Sequence, residues 1–195
     1  AEKLFQLDRL QETEEVSAHR RLHSPDIETV TAGLSYPSHA ILRCQDIPTV
    51  RFIAEYLNQR FEKDRGRFPL EKGYTAAVAH SSQGKQIPAE PLHEKTHPWF
   101  WSKNHDGELS DQSARILVVS SMACEGINNK FCNVVAWAQK PNSTRRIVQA
   151  NGRAFRSLVE KRGTELVVPH KHLDRAYILS HFNWGTGDTQ ADRQA

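Results

Sequence analysis

Arg153 and Arg156 stand three residues apart in Gln149-Ala-Asn-Gly152-Arg153-Ala-Phe-Arg156, a spacing that places both guanidiniums on one face of a helix. Two fixed positive charges on one face repel unless they are solvated or meet an anion. The pair is therefore either a plain basic helix surface or a clamp for a negatively charged group. Gln149 lies one turn before Arg153 on the same face. Gly152 costs up to about 1 kcal/mol in a helix interior, which close approach to another backbone would offset. Arg145, Arg146, Lys161 and Arg162 extend the cluster with one nearby acid, Glu160, whereas Glu12, Glu14 and Glu15 lie far upstream. A net charge of +3 does not identify a nucleic-acid-binding protein, but a local basic face fits one.

Other chemistries are weaker. His93-Glu94-Lys-Thr-His97 matches the H-E-x-x-H zinc-protease pattern, which works only on a helix that brings both histidines to one face. Pro91 precedes it and Pro98 follows at once, disfavouring helical geometry at His97. Cys44, Cys124 and Cys132 are odd in number and lack C-x-x-C spacing, so they read as reduced, mostly buried thiols and not as a disulfide framework or metal site. The N-terminal segment has no apolar signal-peptide core and no stretch approaches bilayer length, which points to a cytoplasmic or nuclear protein without a membrane partner. Beginning at Ala1 without Met, the chain reads as starting inside a longer protein.

These residues must be positioned by short apolar strands alternating with amphipathic helices. Strands are expected at His39–Cys44, Tyr74–Ala79, Ile116–Val119, Cys132–Ala138 and Glu165–Pro169. Helices are expected at 1–23, at 48–62 behind the Asp46-Ile-Pro48 start signal, over the Gln149–Arg156 block, and at Leu173–Phe182. The fold class is α/β, a parallel sheet with helices on both faces. Residues 84–112 carry three prolines and no period; they read as an irregular insertion whose Trp99, Phe100 and Trp101 dock against the domain more readily than they stay exposed. Residues 1–30 read as a helical connector or edge extension, 31–182 as the domain, and 183–195 as a disordered tail. Ligands of such sheets collect at the carboxyl ends of the strands. Ser81 and Ser82, Ser120 and Ser121, and Gln139 all fall at or just past those ends.

The run from Ala114 to Arg156, read whole, resembles motifs V and VI of superfamily 2 helicases and translocases. It has a strand ending in Ser120-Ser121, then Glu125-Gly126-Ile127-Asn128, a second strand, and the Gln-x-x-Gly-Arg-x-x-Arg helix. The resemblance is specific over 114–156 and generic over the rest of 39–180. It implies a RecA-like fold, the second of two such domains in a nucleic-acid-driven ATPase. Arg153 and Arg156 become arginine fingers reaching the γ-phosphate of an ATP held by another domain, a device worth factors of about 10³–10⁵ in rate, or roughly 4–7 kcal/mol of barrier. Gln149, Gly126, Asn128 and Gly152 fall at positions near the nucleotide. Ser120 and Ser121 fall at the nucleic-acid backbone, and Arg43 or Cys44, after a strand resembling motif IV, beside the nucleic-acid path. Ser81 is a further hydroxyl for that path. Ser121 and Asn128 stand where relatives often carry Asp.

Glu-Gly-Ile-Asn, the Pro141-Asn-Ser-Thr-Arg lead-in and the form of motif VI look closer to restriction-enzyme-like helicases than to DEAD-box RNA helicases, which favours DNA over RNA. No G-x-x-x-x-G-K-[ST] loop or acidic box occurs. ATP and Mg2+ are thus expected to be held mainly by an N-terminal RecA-like domain of the same protein, and this chain alone to hydrolyse nothing. The alternative is a RecA-like lobe kept as a non-catalytic nucleic-acid- or protein-binding module.

Overall fold

The computed structural model describes residues 1–10, 38–70, 73–93, 97–100, 114–120, 129, 131–141, 143–155, 160–162, 164–167 and 175–180. Its centre is a five-stranded, all-parallel sheet. The strands are β1 (His39–Arg43), β2 (Ala76–Ala79), β3 (Ile116–Val119), β4 (Cys132–Trp137) and β7 (Tyr177–Ser180), in the spatial order β2-β3-β1-β4-β7. Helix α1 covers residues 2–10, α2 is Ile47–Lys63 and α3 is Thr144–Ala154. The fold class is α/β, consistent with a RecA-like architecture. Among the described residues no helix is long and apolar enough to cross a membrane.

The side-chain alternation of the strands divides the core. Ala40, Ala76, Ile116, Val118 and Val134 point to one face, where they pack with Leu4 and Leu7 of α1 and with Val50, Ala54 and Phe61 of α2. Ile41, Ala79, Leu117 and Val119 point to the other face. There the middle of the sheet is covered by Trp99, wholly buried, and the β4 side by Ala150 and Ala154 of α3 packed on Val135 and Trp137. A register shift between His39 and Ala40 lets Cys132 share the second face while Val134 takes the first.

Helix α2 forms where its signals lie. Asp46 caps it, its carboxylate accepting from the Thr49 N–H at 2.8 Å, and Pro48 sits in the first turn. It ends at Asp64 with Arg60 and Lys63 in the last turn, favourable to the helix dipole. Asn58 closes the outer edge of β2, giving its Nδ2–H to Ala76 O at 3.1 Å and accepting the Ala76 N–H at 2.7 Å.

At the amino edge of the sheet, Asp8 of α1 meets Arg115, which precedes β3. The two Nη groups donate to the two carboxylate oxygens, one at 2.7 Å, and the Tyr74 hydroxyl donates to the same carboxylate. Arg115 also donates from Nε and Nη2 to Ser38 O at 3.0 and 2.9 Å and lies over the Tyr74 ring. Burial alone would lower the Arg115 pKa; the Asp8 charge and hydrogen bonds and Tyr74 outweigh it and raise it. Burial pushes the Tyr74 hydroxyl strongly upward, with Arg115 opposing. Helix α1 is thus part of the domain core and not only an edge extension, whereas residues 11–23 of the expected first helix lie outside the described residues.

Two expectations are corrected. The helix expected over Leu173–Phe182 is instead the edge strand β7 at Tyr177–Ser180, paired parallel with Val134–Trp137. Tyr-Ile-Leu favours a strand, and the exposed edge of β4 needs a hydrogen-bonding partner. Glu165–Val167 (β6) is a strand but does not join the sheet; it pairs antiparallel with β5, Glu160–Arg162. The supposedly irregular insertion opens with bridges between Gln83 and Ile87 and between His80 and Glu90. Trp99 docks as expected, Phe100 is half-buried against it, and Trp101 lies outside the described residues.

Candidate functional site at the carboxyl ends of the strands

Helix α2 follows β1 and packs on one face, toward β2 and β3. Helix α3 follows β4 and packs on the other face. The connections leaving β1 and β4 therefore diverge, and a crevice opens between the two carboxyl ends. Such a switch point is where open α/β sheets bind ligands.

Three strand ends are stitched at one level there. The Cys44 N–H donates to Val119 O at 2.8 Å, and the Ala138 N–H donates to Arg43 O at 2.9 Å. The Gln139 side-chain amide donates to Gln45 Oε1 at 2.6 Å, joining the loops after β4 and β1. Arg43 lies over the Trp137 ring, 5.2 Å from its centroid, as their paired register requires. The Trp137 indole N–H donates to Asn151 Oδ1 at 3.1 Å and so ties α3 to the end of β4. The resulting crevice of about 120 Å³ is lined by Arg43, Cys44 and Gln45 from β1, by Trp137, Gln139, Lys140 and Pro141 from β4, and by Arg146 of α3.

Of the residues singled out in the sequence, Arg43, Cys44, Gln139 and Arg146 meet at this crevice, the first two almost fully buried. The Cys44 thiol is pushed up to about 11, chiefly by burial and then by the Asp46 charge, with Arg43 opposing. It is a neutral, apolar wall, not a nucleophile. Ser120 is buried at the end of β3, beside Cys44. Ser81 is half-buried and follows β2, the outer edge strand, three strand positions from β4. On α3, Arg146, Gln149 and Arg153 fall at i, i+3 and i+7 on one side of the helix, and Gln149 and Arg153 are half-buried. Arg153 thus stands about 10 Å along the helix axis from Arg146. Gly152 is exposed and a Cβ there would meet nothing within 4 Å. The close approach expected at Gly152 is not made by the described part of this chain, because that side of α3 faces open space. Ser121, Gly126, Asn128 and Arg156 lie outside the described residues.

The residues that sequence reasoning passed over are Gln45, Trp137 and Lys140, while Arg146 was read only as one of a basic cluster. Each lies within a few residues of a strand end or a helix start, a signal available in principle, but which strand ends adjoin depends on strand order. His97 is occupied elsewhere. Its Nδ1 accepts the Trp99 N–H at 3.2 Å and its Nε2 bonds Val78 O at 3.1 Å, so it seats the Trp99 segment on the sheet. Burial lowers its pKa, with the bond to Val78 opposing. Among the described residues no group of three His, Cys, Asp or Glu side chains is placed to hold a metal.

Compared with models of known protein families and with curated proteins, the sequence matches none. What the fold defines is a class: an α/β domain with a parallel sheet and a cationic crevice at its topological switch point.

Proposed function

We propose that this chain is the second motor lobe of an ATP-dependent nucleic-acid helicase or translocase of superfamily 2, acting on DNA in preference to RNA. The observation that carries the reading is the row Arg146, Gln149 and Arg153 along one side of α3, beginning at the carboxyl-edge crevice. The order of the motif-like segments in the sequence agrees with it, as does the parallel sheet.

In this reading a nucleotide-bearing N-terminal RecA-like domain of the same protein closes on α3. Gln149 and Arg153, joined by Arg156, orient and neutralise the charge that develops on the transferred phosphoryl group. Gly152 gives the incoming surface room against the helix. Ser120, at the end of β3, lies where a strand running along the carboxyl edge would pass, and shifts relative to it as the lobes open and close. ATP is the substrate, and its hydrolysis supplies the free energy. The crevice has no carboxylate among its described lining residues, so those residues do not fit Mg2+ and no step is assigned to the metal here.

The test is Arg153→Ala in the complete protein. Nucleic-acid binding is expected to persist while nucleic-acid-stimulated ATP hydrolysis falls by about 10³-fold or more. Turnover at the wild-type rate would refute the assignment. A non-catalytic RecA-like binding module is the second reading, favoured by the missing acids at Ser121 and Asn128; it expects no ATP hydrolysis in the wild type either.

A further inference from the structure

We propose that the crevice between the ends of β1 and β4 is a phosphate site that takes one phosphate group, of a nucleic-acid strand or of a nucleotide, with Arg146 and Lys140 as its accessible cations. Its described lining carries three cations, Arg43, Lys140 and Arg146, two amides, Gln45 and Gln139, and no carboxylate. The acid nearest along the β1 loop, Asp46, does not line the space and accepts the Thr49 N–H, although its charge reaches Cys44. Gln139 donates to Gln45 Oε1, which uses the Gln45 acceptor and keeps its NH2 as a donor. At about 120 Å³ the space is well below the roughly 300–1,000 Å³ of a pocket for a whole drug-sized ligand, so it suits a group and not an entire nucleotide.

The start of α3 points the same way, and α2 supplies the contrast. Helix α2 begins with an acidic cap whose side chain accepts a first-turn N–H. Helix α3 begins at Ser143 with no side-chain capping bond and no acid in its first turn, which instead holds Arg145 and Arg146. Arginines beside the positive end of a helix dipole are unfavourable by themselves. An anion in the crevice, which Pro141 and Arg146 line at the start of α3, reverses that sign: it meets the guanidinium, the ammonium and the helix dipole together.

Lys140 and Arg146 are both exposed, so substituting them leaves the core intact. The experiment compares the complete wild-type protein with Arg146→Gln, Lys140→Gln and the double variant Arg146→Glu/Lys140→Glu. Inorganic phosphate binding is read by calorimetry, and melting curves verify folding. Each single variant is expected to weaken inorganic phosphate about tenfold, and the double variant to abolish its binding. A fluorescent single-stranded oligonucleotide and a fluorescent ADP analogue then separate the sources. If the strand is the ligand, oligonucleotide affinity falls and its salt slope drops by about one per cation removed, with ADP unchanged. If the nucleotide is the ligand, the ADP analogue weakens instead. Folded variants that bind phosphate, oligonucleotide and ADP like the wild type overturn the site, as does a wild type that binds no inorganic phosphate. Arg153 does not line this crevice, so ATP hydrolysis surviving Arg153→Ala would sink the motor reading and leave the phosphate site standing.

Discussion

Replacing Asp8 with Ala tests whether the buried ion pair at the amino edge holds α1 to the domain. The Arg115 side chain is 0% exposed and that of Asp8 4%, so neither charge has water to fall back on. After truncation the guanidinium keeps, among the described residues, only the Ser38 carbonyl and the Tyr74 ring, and the Tyr74 hydroxyl loses its acceptor. Leaving one member of such a pair uncompensated costs about 3–5 kcal/mol, a large part of the roughly 5–15 kcal/mol that holds a domain folded. At about 2–4 °C per kcal/mol for a chain of this size, the melting temperature should drop by roughly 6–20 °C. Urea titration and calorimetry read both quantities. Asp8→Leu combined with Arg115→Met removes both charges and should recover most of the loss, because the penalty lies in the orphaned charge. The pair sits at the opposite end of the strands from the crevice, so folded Asp8→Ala protein should bind at the crevice as the wild type does. Stability within 1 kcal/mol of wild type (about the net worth of one ordinary hydrogen bond) would refute the reasoning.

Two further outcomes follow from titrating groups in the core. Burial, reinforced by the Arg115 charge, holds the His39 pKa well below the usual histidine range, and Nδ1 accepts from Asn129 at 2.7 Å. The unfolded chain therefore takes up the proton first: the contribution of His39 is complete above the unfolded value of about 6.5 and is lost as pH falls below it, by up to about 1.4 kcal/mol per pH unit. Urea titrations at pH 7.0 and 5.5 should show this acid loss, and His39→Gln should flatten it; a slope that the substitution leaves unchanged counts against the assignment. Cys44, raised to about 11 and buried, should resist iodoacetamide at pH 8 in the native protein and react once urea unfolds it. Peptide mapping that finds Cys44 labelled at the free-thiol rate in folded protein would contradict its placement.

Local signals were legible where one chain segment carries all the information. Asp46, Pro48 and the Val50–Ala54 spacing mark α2 to within a residue or two of its observed ends, and the apolar run Ile116–Val119 matches β3. The α/β class follows from the alternation of such segments. Tyr177–Ser180 shows where this fails: a four-residue strand between weak neighbours carries little period, and the exposed edge of β4 decided its state. The candidate site was legible in the same partial way. Arg43, Cys44, Ser120 and Gln139 each stand at a strand end, but nothing local says that β1 lies between β3 and β4.

By itself, then, the sequence determined the residue types, their place on helices and strand ends, and the chemistry those types allow: guanidiniums for anions, thiols without metal spacing, a histidine pair followed at once by Pro98. Only the tertiary structure decided which of them meet. Strand order brought Gln45 to Gln139 and Arg43 to Trp137, seated His97 on Val78, and joined Asp8 to Arg115 across 107 residues of chain. The physical reason is that backbone propensity and periodicity act over a few residues, whereas burying two sheet faces and pairing the charges at their edges are satisfied by the whole chain at once.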